Sequence, residues 1–86
     1  MNVNIVVAGR EYDLAQAIPE QLTLPERASL DDALQALAQL LPPDRQLPAS
    51  CLLAVSGKHL GTLGSHQPAP LADGDELLLL APVAGG

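Results

Sequence analysis

The chain has 86 residues, a net charge of −6 and 48% apolar residues, with Tyr12 as its one aromatic side chain. That length suits a single small domain, and its core must be built from Leu, Val, Ile and Ala. The acidic balance and the lack of Phe and Trp argue against binding to nucleic acid or an anionic membrane and favour partners with basic patches.

Val3-Asn4-Ile5-Val6-Val7 begins as alternation and becomes a continuous apolar run, which predicts a central strand ended by Ala8-Gly9. Arg10 to Ile18 has the mixture expected of a short helical turn or two, stopped by Pro19. Gln21-Leu22-Thr23-Leu24 alternates and predicts a half-buried strand with Leu22 and Leu24 inward, closed by Pro25. Ser29 to Leu41 is the main helix. Ser29 is a good N-cap, Asp32 stands in the acidic position of a capping box, and Asp31 and Asp32 suit the positive end of the helix dipole. Leu30, Ala33, Leu34, Leu37, Ala38 and Leu41 recur at helical spacing as its apolar face, and Pro42-Pro43 ends it. Cys51 to Val55 reads as a fully buried strand turned by Ser56-Gly57, His59 to Thr62 as a brief strand, and Gly64 to Ala72 as irregular.

The last stretch is Asp73-Gly74, a turn signal, then Glu76 and Leu77 to Leu80, then Pro82-Val83-Ala84-Gly85-Gly86. Four consecutive leucines do not alternate, so the strand is expected to be covered on both faces. Pro82 cannot donate to a neighbouring strand, so the chain is expected to leave the sheet there. One amphipathic helix across one mixed sheet of four or five strands is the way to cover so many apolar strand residues in so short a chain. This is an α+β, β-grasp (ubiquitin-like) architecture, with a domain over 1–81 and a flexible tail over 82–86. A single helix covers only one sheet face, so Leu78 and Leu80 are expected to meet a partner on the other.

Self-sufficient catalysis has no visible machinery. Cys51 stands alone, so it forms no internal disulfide, and beside Leu52 and Leu53 it reads as a core residue in a reducing, cytoplasmic protein. His59 and His66 lack metal-ligand spacing and read as solvated loop histidines; Asp73, Asp75 and Glu76 read as turn chemistry rather than a calcium loop. No glycine pattern cradles a phosphate, no serine has an evident base, and neither a signal peptide nor a membrane-spanning run is present. No bound cofactor and no metal are expected. The remaining reactive group is the α-carboxylate of Gly86, an anion at neutral pH with a reference pKa of about 3.5 and therefore a poor electrophile until activated. Gly85 and Gly86 have no Cβ and suit a channel too narrow for other residues, although a terminal Gly-Gly on its own is more often a frayed end.

Leu24-Pro25-Glu26-Arg27-Ala28-Ser29-Leu30, the helix with Asp32, Leu34 and Leu37, and Leu71-Ala72-Asp73-Gly74-Asp75-Glu76 leading to Pro82-Val83-Ala84-Gly85-Gly86 together resemble the small sulfur-carrying subunit of molybdopterin synthase. The related thiamine-pathway carrier shares the fold and the Gly-Gly. The chain departs from the pattern at Arg27, where the family often has Gly, at Ser56, where it often has Asn, and in lacking strand phenylalanines.

The resemblance implies that a ubiquitin-activating-like enzyme spends ATP to adenylate Gly86 and that a sulfurtransferase supplies sulfur to give a thiocarboxylate. The tail Pro82, Val83, Ala84, Gly85 and Gly86 then enters the active site of a large synthase subunit, within a heterotetramer. On this reading the chain is a non-catalytic, sulfur-donating subunit in molybdenum cofactor biosynthesis. The alternatives left open are a carrier for thiamine, cysteine or tungsten cofactor, a ubiquitin-like modifier conjugated through Gly86, and a β-grasp binding module whose Gly-Gly is incidental.

Overall fold

The computed structural model of the chain describes residues 1–8, 18–44 and 46–81. Six strands and one helix occur among them: β1 (Asn2–Ala8), β2 (Gln21–Thr23), α1 (Leu30–Leu40), β3 (Leu52–Val55), β4 (Lys58–Thr62), β5 (Ser65–His66) and β6 (Glu76–Leu80). The strands form one sheet in the order β2-β1-β6-β3-β4-β5, in which β1 and β6 are parallel and every other pair is antiparallel. The expected β-grasp architecture is present, and its sheet carries one short strand beyond the four or five anticipated. Of the expected helix over Arg10 to Ile18, all but the buried Ile18 lies outside the described residues; Ile18 itself is at a bend.

The helix begins as its sequence dictates. Ser29 has extended backbone (φ −102°, ψ 172°); its Oγ accepts from the Asp32 amide at 3.2 Å, and its own amide donates to Asp32 Oδ2 at 2.8 Å. This reciprocal pair satisfies two donors that a helix start otherwise leaves open. The helix ends at Leu40, with Leu41 as an extended C-cap before Pro42-Pro43. Leu30, Ala33, Leu34 and Leu37 are buried, as is Leu41 just past the last turn. Ala38 corrects the expected face: it is exposed, because the buried stripe narrows toward the end of the helix.

β6 lies inside the sheet, between β1 and β3. Its alternate residues Leu77 and Leu79 are fully buried in the core with Val3, Ile5, Leu30, Leu37 and Leu53. Burying a leucine side chain contributes roughly 1.5–3 kcal/mol, so these two side chains are a large share of a small domain's stability. The β3 segment is not buried throughout as expected. Cys51 precedes the strand and is buried, whereas Leu52 is 40% exposed because it points away from the helix.

Two backbone positions explain where the sequence departs from the family's pattern. Arg27 has φ +69° and Ser56 has φ +47°, left-handed conformations that L side chains adopt at a cost of roughly 1–2 kcal/mol. Ser56 and Gly57 (φ +87°) together turn β3 into β4, a site that favours Asn-Gly, so Asn at the first position has a conformational reason. Ser56 compensates partly: its Oγ donates to Asp75 Oδ1 at 2.9 Å and accepts from the Glu76 amide at 3.3 Å.

Urea unfolding of Leu37→Ala is expected to show a loss of about 2–5 kcal/mol, with Ser29→Ala losing only about 1 kcal/mol. Arg27→Gly is expected to stabilise the fold by up to about 1 kcal/mol, the relieved strain exceeding glycine's entropic cost of about 0.5–1 kcal/mol. A destabilised Arg27→Gly protein contradicts the strain assignment.

Candidate functional site

The last described strand lies in the middle of the sheet. β6 runs parallel to β1 from Asn4 opposite Glu76 to Ala8 opposite Leu80, and antiparallel to β3 from Val55 opposite Leu77 to Leu52 opposite Leu80. One residue later, the buried Ala81 donates its amide to the Ala8 carbonyl at 3.0 Å. The point at which 82–86 begins is therefore held from both sides by the two strands that flank β6. The site residues Pro82, Val83, Ala84, Gly85 and Gly86 lie outside the described residues.

The turn before β6 is equally fixed. Asp75 Oδ2 accepts from the Ala72 amide at 2.8 Å, Asp73 Oδ1 accepts from the Asn2 amide at 2.7 Å, and the Gly74 amide donates to the Asn2 carbonyl at 2.8 Å. The carboxylates of Asp73 and Asp75 thus serve the turn that sets the register of β6 against β1. Among the described residues there is no group of three or more His, Cys, Asp or Glu that would hold a metal ion.

The face of the sheet turned away from α1 is the second part of the site. Leu78 and Leu80 point to it and are only half-buried. Among the described residues, cover is supplied for Leu77 and Leu79 alone, which leaves the second face to the partner expected for it. The register extends this face beyond the two leucines. Val6, Leu78 and Ala54 form one cross-strand row that ends at His59, and Ala8, Leu80 and Leu52 form the next, ending at Thr62. Val6 and Leu52 are each 40% exposed, so the surface is apolar and open. Asn4 and Glu76 close its lower edge. Val6 and Leu52 join this face through the register, which sets them level with Leu78 and Leu80.

His59 is exposed on β4, whereas His66 is not the solvated loop residue expected. It sits in β5, its ring 14% exposed, with Nε2 2.7 Å from Asp31 Oδ1 and Nδ1 3.0 Å and 3.1 Å from the carbonyl oxygens of Thr62 and Leu63. Both ring nitrogens are engaged, so His66 has no free position for acid–base work. Cys51 lies in the core and is 1% exposed, closed to bulk reagents. Among the described residues no helix is long and apolar enough to cross a membrane.

The sequence model of the ThiS family matches residues 5–86 of the chain. Among solved structures, SAMP1 from Haloferax volcanii is 25% identical over the full length of both chains, with a TM-score of 0.64. A chain from the protein–protein complex of subunits 1 and 2 of molybdopterin-converting factor from Helicobacter pylori 26695 is 26% identical, again over the full length of both, with a TM-score of 0.58. No curated protein sequence gives a significant match.

The two faces of β6 and β3 differ in what they tolerate. Leu79→Ala is expected to cost about 2–5 kcal/mol in chemical denaturation, since Leu79 is fully buried. Leu52→Ser is expected to stay within about 0.5 kcal/mol of the parent, as surface substitutions usually do. Comparable losses at the two positions would show that the outer face is not open.

Proposed function

The chain belongs to the ThiS family, a group of small ubiquitin-like sulfur carriers, and from that premise we propose that it is the small subunit of a molybdopterin synthase, with Gly86 as its sulfur-bearing residue. The observation that favours this pathway over others of the family is the full-length similarity to a chain of the molybdopterin-converting factor complex. The open apolar surface of Val6, Leu52, Leu78 and Leu80 fits a role in which a large subunit covers the sheet face that the described residues leave bare.

The domain over 1–81 acts as a handle and 82–86 as the working arm. Five residues at full extension reach about 17 Å, enough to enter a partner's active site while the β6 leucines stay docked outside it. Adenylation by a ubiquitin-activating-like enzyme converts the Gly86 carboxylate from a resistant anion into an acyl group with a good leaving group. The carboxylate oxygen attacks the α-phosphorus of ATP, and pyrophosphate departs. A sulfide-level sulfur nucleophile supplied by way of a sulfurtransferase then attacks the acyl carbon, the bond to AMP breaks and AMP departs, and the resulting thiocarboxylate delivers its nucleophilic sulfur to the substrate held by the large subunit. Splitting one hard substitution into two easier ones is the general advantage of a covalent intermediate. The chain binds no cofactor of its own in this scheme, and ATP is consumed by the activating enzyme. Asp73, Asp75 and Glu76 beside the base of β6 present negative charge to partners with basic patches.

Intact mass spectrometry after incubation with the activating enzyme, ATP and a sulfur donor is expected to show one oxygen exchanged for sulfur at the C-terminus. Attachment to lysines of other proteins would instead identify a modifier. Deleting Gly86 is expected to abolish sulfur transfer while leaving far-UV spectrum and partner binding unchanged, because a misplacement of about 1 Å already costs around a hundredfold in rate. Leu80→Asp is expected to weaken binding to the large subunit at least tenfold, the usual scale for losing a buried anchor of more than about 1.4 kcal/mol. A Gly86 deletion that still carries sulfur at the parent rate overturns the assignment of the reacting group.

A further inference from the structure

The contact between β5 and the first turn of α1 has a protonation state written into its geometry. Asp31 Oδ1 lies 2.7 Å from His66 Nε2, and the carbonyl oxygens of Thr62 and Leu63 lie 3.0 Å and 3.1 Å from Nδ1. All three partners are acceptors. A neutral imidazole has one N–H and one lone pair, so it would set a lone pair against either the carboxylate or the two carbonyls. Only the imidazolium, a donor at both nitrogens, satisfies every partner.

We propose that His66 and Asp31 form a proton-operated latch that clamps the turn between β4 and β5, and Leu63 with it, against α1. The two segments held are otherwise far apart in sequence. Asp31 stands at the start of the helix, where its negative charge also suits the dipole. His66 closes a two-residue strand that pairs only with Gly61 and Thr62. The ladder is short, and the ring adds to it a tie to the helix, 35 residues away along the chain. Leu63, whose carbonyl receives the ring, packs against the core. It lines a groove of about 360 Å³ together with Leu34, Leu41 and Leu47, so the latch fixes one wall of that groove.

Asp31 is the titratable group facing His66 across the contact. From β4 and the turn the ring meets backbone carbonyls, which do not titrate. The hydrogen bond from Asp31 raises the His66 pKa above its ordinary 6.5; partial burial opposes this, and the two carbonyls and the charge of Asp31 add to the rise. The sign follows from linkage: a group whose pKa is raised on folding contributes stability fully present below the unfolded value of 6.5 and lost as pH rises through the folded-state value. The turn is thus held tight under mildly acidic conditions and released in the range where histidine responds to physiological change. This inference is independent of the sulfur-carrier reading, since it is argued from the His66–Asp31 contact alone.

The test is an NMR titration of the imidazole in the intact protein and in Asp31→Asn, with amide hydrogen exchange of Leu63 and Gly64 followed over the same pH range and corrected for intrinsic rates. Expected are a native His66 pKa above 6.5, a fall of that pKa in Asp31→Asn, and a drop in protection of the two amides through the titration in the parent but not in the variant. The Leu63 and Gly64 amides donate to the carbonyls of Cys51 and Ala49, so they report the seating of the turn rather than the latch itself. A His66 pKa at or below 6.5, a pKa unchanged by Asp31→Asn, or protection that stays flat across the titration overturns the latch.

Discussion

The parallel pairing of β1 with β6 is the constraint on which the rest of the structure depends. It joins the two ends of the chain, from Asn4 opposite Glu76 to Ala8 opposite Leu80, and so places the last strand inside the sheet rather than at an edge. A strand at an edge would have left a row of backbone groups unpaired and open to other chains. Inside the sheet, both backbone edges of β6 are used, by β1 on one side and β3 on the other. Parallel strands cannot be joined by a hairpin and need a long crossover, and here the helix belongs to the intervening chain and covers the face on which Leu77 and Leu79 are buried.

The same arrangement separates the two tasks of the terminal region. Leu77 and Leu79 hold the domain together, while Leu78 and Leu80, one residue out of phase, leave an apolar surface with Val6 and Leu52. Ala81 is still buried and still bonded to Ala8, so order persists to the residue before Pro82. The point at which 82–86 begins is thereby fixed by the sheet.

The departures from the family's usual residues become intelligible as local conformational costs rather than changes in architecture. Arg27 and Ser56 sit at positive φ, where Gly and Asn are easier to place, and each lies in a short connection whose course is dictated by what it joins. Arg27 precedes the cap of α1, whose Leu30 amide is fixed to the Ala69 carbonyl at 2.8 Å. Ser56 shares its hydroxyl with the turn before β6, so part of the cost is returned in hydrogen bonds to Asp75 and Glu76. Strands without phenylalanine still close a core, because leucine, isoleucine and valine fill the space between the sheet and α1.

By itself the sequence determined the elements whose signals are local. Ser29 and Asp32 define the helix start through bonds three residues apart, Pro42-Pro43 closes its end, and Asp73-Gly74 makes the turn into β6. The run Leu77 to Leu80 was legible as a strand. Leu78 and Leu80 are expected on the outer face from sequence, and the register against β1 and β3 puts them there and adds Val6 and Leu52 to them. The exposure of Ala38 escaped the helical period, since spacing gives the direction of a buried stripe and not its width. His66 gives the sharpest case. Nothing within several residues of it marks it as different from His59, and its pairing with Asp31 exists only because the chain folds β5 back against the first turn of the helix. A contact between residues so far apart in sequence depends on where whole elements dock, and that is set by the burial of the core as a unit rather than by any local preference.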